Sequence, residues 1–205
     1  MEAGYFKKIL KSDMNNIIIN ELNKAFGEKI VLKNFQAEIS GNGITCIMGP
    51  SGCGKTTLMR ILLGLEKADS GTIRGLPERV SAVFQEDRLC ENFTVAANIR
   101  MACSRKLSDA EIKQWLERLG IAETFRIKTA ELSGGMKRRV AIARAVLAEG
   151  DMIFMDEPFK GLDDDTRKAV IREVKACGRP LIIITHDPED AELLGAEVIQ
   201  LLSTR

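Results

Sequence analysis

The sequence predicts an α/β fold in which a parallel β-sheet is covered by helices and interrupted by a helical insertion. Three observations lead there. Short apolar runs of strand length alternate with helix-period stretches, the pattern of a parallel sheet buried on both faces. One run, "ITCIM" at 44–48, passes at once into a glycine-rich loop and then a helical stretch. Residues 94–149 carry no good strand, only helical spacing, so a helical subdomain of about 88–140 is expected inside the core.

In chain order, residues 1–13 are expected to be a leader, with one domain over 14–205. "IIINEL" and "IVLKNFQAEIS" read as strands, the second followed by the turn residues "GNG". "KTTLMRILLGL" at 55–65 reads as a helix, and "GTI" and "VSAVFQ" as further short strands. "TVAANIRMAC", "SDAEIKQWLERLG" and "SGGMKRRVAIARAVLAEG" have helical spacing, and Ser108 with Glu111 forms a capping box. Strands resume at "MIFMDEP", "LIIITHD" and "EVIQLL", separated by the helices "DDTRKAVIREVKACG" and "PEDAELLG".

Composition narrows the function classes. The chain has 205 residues, 45% hydrophobic and 29% charged, as globular domains do. A formal net charge of +1 gives no global field for nucleic acid, and no nucleic-acid partner is expected. The apolar run "LIIIT" falls far short of the ~20 residues a membrane span needs, and no secretory signal is visible. Five scattered cysteines without metal-like pairing read as reduced thiols of a cytosolic protein.

Three constellations carry chemistry. Gly49, Gly54, Lys55 and Thr56 match G-x-x-x-x-G-K-[ST] within "GPSGCGKTT", with an apolar strand before and a helix after. Glycines let backbone N–H groups wrap a phosphate, the lysine reaches the β- and γ-phosphates, and the threonine hydroxyl ligates Mg²⁺. The loop Gly49, Pro50, Ser51, Gly52, Cys53, Gly54, with Lys55, Thr56 and Thr57, is therefore expected to hold the nucleotide. The pattern leaves kinases, GTPases and ATPases open, although the only N-K pair, Asn23-Lys24, lacks the aspartate of a guanine reader. "MIFMDEP" sets Asp156 and Glu157 at a strand's C-terminal end, where open parallel sheets bind ligands; Asp156 suits the Mg²⁺ shell and Glu157 the activation of a water. The sole histidine, His186, ends another apolar strand and is expected to contact a γ-phosphate. Cys53 lies between a helix N-terminus and Lys55, where a reactive, maleimide-sensitive thiol is expected. A fourth feature, Ser133-Gly134-Gly135 before a helix, is a second anion-binding loop, one without a lysine.

Together these motifs resemble the nucleotide-binding subunit of ATP-binding-cassette (ABC) transporters, from about residue 17 to the C-terminus. "GPSGCGKTT" looks like its Walker A loop, Gln85 its Q-loop glutamine, "LSGGM" its signature, "MIFMDEP" its Walker B, "GLDD" its D-loop and His186 its switch histidine. Met136 replaces the commonest glutamine of the signature; this variant and "FQEDRL" are similar to importers of the nitrate, sulfonate and taurine type. Lys160 and Gly161 stand where serine and alanine usually precede the D-loop leucine, with Asp163 retained.

The resemblance implies a P-loop ATPase core with a small N-terminal antiparallel β subdomain. It implies ATP and Mg²⁺ as cofactors, with Thr56 and Gln85 on the metal and Asp156 acting on it through a water, Glu157, His186 and Gln85 in catalysis, and Phe26 stacked on adenine. Two cassettes would pair head to tail, Ser133, Gly134 and Gly135 of one closing over ATP held by the other. The further partners implied are a separate membrane permease and a solute-binding protein, which places the chain on the inner face of the cell membrane. Leu89, Phe93, Val95 and Ile99 are the expected permease-docking surface, with two of them expected in ordinary helix core. No C-terminal regulatory domain is expected in the 19 residues after His186. The alternative is a soluble ABC-type ATPase not coupled to transport.

Overall fold

The computed structural model describes residues 16–202; the expected leader lies outside them. β1 (Ile17–Phe26) pairs antiparallel with β2 (Lys29–Ile39) on one side and β4 (Ser70–Arg74) on the other, giving a three-stranded antiparallel sheet in the order β2-β1-β4. A second sheet is parallel throughout. It is built from β3 (Ile44–Met48), β5 (Val80–Val83), β6 (Met152–Asp156), β7 (Leu181–Ile184) and β8 (Glu197–Gln200), in the order β5-β6-β7-β3-β8.

Every residue of β6 and β7 is buried. Strands sandwiched on both faces have no solvent side, which is why they read as unbroken apolar runs. Their side chains still alternate. Cys46, Ile153, Met155, Leu181 and Ile183 pack into one core, Ile47, Met152, Phe154, Ile182 and Ile184 into another, as the two-residue strand period requires. The second core also holds the apolar faces of β1, β2 and α1 (Lys55–Leu62). The first holds residues of α2 (Val95–Arg100), α3 (Asp109–Arg118), α4 (Gly134–Leu147), α5 (Asp164–Ala176) and α6 (Pro188–Leu194).

Helix starts follow their capping residues. Thr94, Ser133 and Asp163 accept from the backbone N–H three residues on, and Ser108 and Glu111 form the reciprocal box. The helix read over 55–65 stops earlier, at Leu62. Gly64 turns left-handed (φ 68°), and the amides of Leu65 and Glu66 fold back to the Arg60 carbonyl. At the far end of α4, Arg179 donates to the carbonyls of Ala145, Val146, Ala148 and Gly150 at 2.8–3.0 Å, satisfying acceptors the helix leaves open. Residues between β5 and β6 leave the sheet and return to it, since Val80 pairs beside Met152; they include two 3₁₀ turns, Ala122–Arg126 and Thr129–Glu131, as well as α2, α3 and α4.

This order matters for chemistry. β6, β7 and β3 are adjacent and parallel, so their C-terminal ends lie side by side. One opens into the glycine loop, one ends at Asp156, and one runs into Thr185 and His186.

Candidate functional site

The loop between β3 and α1 is shaped by glycines that nothing else could replace. Gly49 (φ 153°) would drive a Cβ to 2.3 Å from the Leu201 carbonyl oxygen, and Gly54 (φ 106°) would place one 2.7 Å from Val31 Cγ1. Lys55, only 9% exposed, curls back so that Nζ donates to the carbonyls of Gly49 (2.7 Å) and Pro50 (2.9 Å). The cation is thereby pinned at the loop that α1's N-terminus also faces, two positive features on one spot.

Thr56 Oγ1 donates to Asp156 Oδ2 at 2.8 Å, joining α1 to the end of β6 across a hundred residues of sequence. Asp156 is 3% exposed, and burial pushes its carboxyl above the usual range despite the Thr56 hydrogen bond. Glu157 follows in a left-handed backbone conformation (φ 49°), unusual for a side chain of this kind; its amide donates to the Ile184 carbonyl at 2.9 Å. This turn brings its carboxylate to His186, whose Nδ1 lies 2.7 Å from Oε2 and 3.0 Å from Oε1.

The His186 turn is itself braced. Thr185 Oγ1 donates to Asp190 Oδ2 (2.6 Å), and the Asp187 amide donates to Thr185 Oγ1 (3.1 Å). Arg167, from α5, reaches Asp190 at 2.9 Å and also pairs with Asp187 and Glu189. Gln85 is exposed just beyond β5, and its loop is gripped from α4: Arg138 donates to the Phe84 carbonyl (2.7 Å), and Arg144 to those of Asp87 and Arg88 (2.8 Å each).

These groups enclose a cleft of about 690 Å³, a size that suits a nucleotide. Of the residues read from sequence, Phe26, Ser51, Gly52, Gly54, Lys55, Thr56, Thr57, Gln85, Asp156, Glu157 and His186 line it. Gly49 and Pro50 stand behind, as carbonyl partners of Lys55. Cys53 corrects the expectation of a reactive thiol: it is 3% exposed, packed in the core shared by the two sheets, with Sγ 4.0 Å from Lys55 Nζ. Its backbone serves the loop while its side chain turns inward. Lys29, Val31, Lys160 and Ile184 also line the cleft; none belongs to a phosphate-binding pattern, although Lys160 stands out as a cation in the D-loop.

Ser133, Gly134 and Gly135 do not line this cleft. Ser133 caps α4, accepting from the Met136 amide at 3.3 Å. A Cβ on Gly134 would meet nothing within 4 Å, and one on Gly135 only Leu162 Cδ2 at an ordinary 3.6 Å. The fold of this chain therefore does not require either glycine. Of the four apolar residues after Gln85, Val95 and Ile99 are fully buried, Leu89 is half-buried and Phe93 is 48% exposed, so the helix core takes two of them.

The groups suit a magnesium nucleotide. A hydroxyl, a carboxylate and an amide oxygen are hard donors of the kind Mg²⁺ selects. Among the described residues no cluster of three His, Cys, Asp or Glu could hold a metal unaided, so such an ion would share its shell with phosphate oxygens.

Comparison with known proteins bears on the same residues. The family profile described as ABC transporter matches residues 32–160. The chain is similar to the aliphatic sulfonates import ATP-binding protein SsuB 2 of Burkholderia cenocepacia (strain HI2424), 35% identical over 190 residues that cover 87% of this chain and 70% of that protein. It is also similar to the spermidine/putrescine import ATP-binding protein PotA of Pasteurella multocida (strain Pm70), 35% identical over 204 residues, 90% of this chain and 55% of that one. Among solved structures, a bacterial Atm1-family ABC exporter with ATP bound superposes with a TM-score of 0.83 at 21% identity, over 96% of this chain and 39% of that one. That likeness is one of fold.

Proposed function

The chain belongs to the ABC transporter family, and on that premise we propose that it is the ATP-hydrolysing subunit of an importer whose cleft turns over MgATP. The observation that carries this reading is the convergence in one cleft of Lys55, the Thr56–Asp156 bond and the Glu157–His186 pair, delivered by three adjacent strand ends.

In this reading the loop amides from Ser51 to Thr57 and the Lys55 ammonium hold the β- and γ-phosphates, and Phe26 takes the adenine ring. Thr56 and Gln85 would hold Mg²⁺, with Asp156 acting through a water, and the ion would supply charge neutralisation to the phosphate oxygens. Glu157 accepts a proton from the attacking water. His186 orients the Glu157 carboxylate and contacts the γ-phosphate. Phosphoryl transfer needs mostly positioning and charge stabilisation, which is what these braced side chains provide.

Gly134 and Gly135, which the chain's own fold does not require, support a partner's approach. A second copy would pair head to tail, the Ser133-Gly134-Gly135 loop closing over the neighbour's γ-phosphate. Among the described residues no helix is long and apolar enough to cross a membrane, so the solute path would belong to a separate permease, with a solute-binding protein beyond it. The chain would sit on the inner membrane face through that permease. Residues of about 88–140 form the inserted subdomain, and exposed Phe93 with half-buried Leu89 offer the docking face. Import follows from what the two named relatives are called.

Glu157→Gln tests the centre of this reading. MgATP should still bind with near-wild-type affinity, while phosphate release falls by about a hundredfold or more. Unchanged hydrolysis in this variant would remove Glu157 from the mechanism.

A further inference from the structure

The base end of the cleft is tied to its phosphate end through a cluster outside the nucleotide motifs. β1 is irregular at Leu22, Lys24 and Ala25, where its register against β2 shifts. The backbone there is stitched instead to the loop between α1 and β4. The Asp69 amide donates to the Asn23 carbonyl (2.9 Å), and the Ala25 amide donates to Asp69 Oδ2 (2.7 Å). Lys24 Nζ bonds Glu66 Oε1 at 2.9 Å and Asp69 Oδ1 at 3.3 Å, with its side chain only 10% exposed. The same ammonium stands over the Phe26 ring, 4.9 Å from its centroid, yet Lys24 does not line the cleft that Phe26 lines.

One helix therefore spans both halves. α1 begins with Lys55 and Thr56, and the acidic anchors Glu66 and Asp69 follow shortly after its end. Its eight residues are about 12 Å long. A cation against one face of a ring draws electron density towards itself and leaves the other face a better partner for an electron-rich purine.

We propose that Lys24, anchored by Glu66 and Asp69, is a positioning residue for the nucleotide base: it fixes the Phe26 ring as a stacking platform at a set distance from the phosphate loop. This rests on the reading of the cleft as an ATP site with Phe26 beneath adenine. Lys24 then governs the share of affinity that comes from the base and leaves the share from the phosphates alone.

The test compares MgATP with magnesium tripolyphosphate, which has no base, by calorimetric titration of the full chain. Lys24→Met should weaken MgATP by about threefold to tenfold and leave tripolyphosphate unchanged within about twofold. Lys24→Arg should restore most of the MgATP affinity, because the guanidinium keeps both ion pair and ring contact. Equal losses for both ligands would make Lys24 a general stabiliser and overturn the proposal. So would no loss for either, provided Phe26→Ala does weaken MgATP. If Phe26→Ala binds MgATP as the wild type does, the base-stacking reading itself falls, and the proposal with it. Should Lys24→Met fail to fold, Glu66→Gln is read by the same ratio; a ratio identical to that of wild type would overturn the proposal.

Discussion

Single residues divide into those whose role is set by local chemistry and those set by where the chain places them. Lys55, Thr56, Asp156, Glu157 and His186 were legible because strand, loop and helix are contiguous with them in sequence, and the sheet edge brings such residues together. Cys53 was not. Its neighbours in sequence suggest an activated thiol, but the turn at Gly54 points its side chain into the core. The five cysteines consequently sort by burial: Cys46 and Cys53 are buried, Cys103 and Cys177 half-buried, Cys90 exposed. Burial also pushes the Cys46 thiol up to about 12, far from the thiolate that reacts. A short maleimide pulse on the native chain should label Cys90 first and leave Cys46 and Cys53 unmodified until denaturant is added. Peptide mass mapping reads the order, and early modification of Cys53 would show that the loop opens in solution.

Elements were legible wherever a period or a cap marked them. The capping box of α3 follows from Ser108 and Glu111 alone. The end of α1 and the grip of Arg138 and Arg144 on the loop of Gln85 were not legible, because one depends on a left-handed glycine and the other on carbonyls more than fifty residues away. The box gives a pH test. The Ser108 amide, with help from Arg105 and the Ser108 hydroxyl, holds the Glu111 carboxyl down at about 2 from an ordinary 4.5. A depressed folded-state pKa means stability that is present above about pH 4.5 and lost as pH falls towards about 2. The group is partly exposed, so the effect is that of an ordinary charged cap, about 0.5–1 kcal/mol. Glu111→Gln keeps an acceptor and removes the charge. Urea unfolding should show it less stable than wild type at pH 7, with the gap closing as pH drops below 4.5. A gap independent of pH would mean that the ionised form is not what the helix uses.

For the whole molecule, the decisive feature is that one chain carries two glycine loops at helix N-termini, of which only the one at 49–57 lines the cleft. Both loops were legible in the sequence; the structure adds that a Cβ on Gly134 would face open space and one on Gly135 an ordinary contact, which leaves room for the partner proposed above. Glu157→Gln should bind MgATP without consuming it and form dimers with MgATP that dissociate with MgADP, which lacks the γ-phosphate. Gly135→Asp added to that variant places a carboxylate in the first turn of α4. There it favours the helix dipole, and its Cβ meets only Leu162 at 3.6 Å, so the monomer should remain folded and keep its MgATP affinity. Across an interface, the same carboxylate would face a phosphate and repel it. Multi-angle light scattering after size exclusion, with permease-bearing membranes solubilised alongside if the isolated chain pairs weakly, should find the single variant dimeric with MgATP and the double variant monomeric. A double variant that dimerises as fully as the single one would separate the second loop from the γ-phosphate and leave its two glycines without a role in ATP binding.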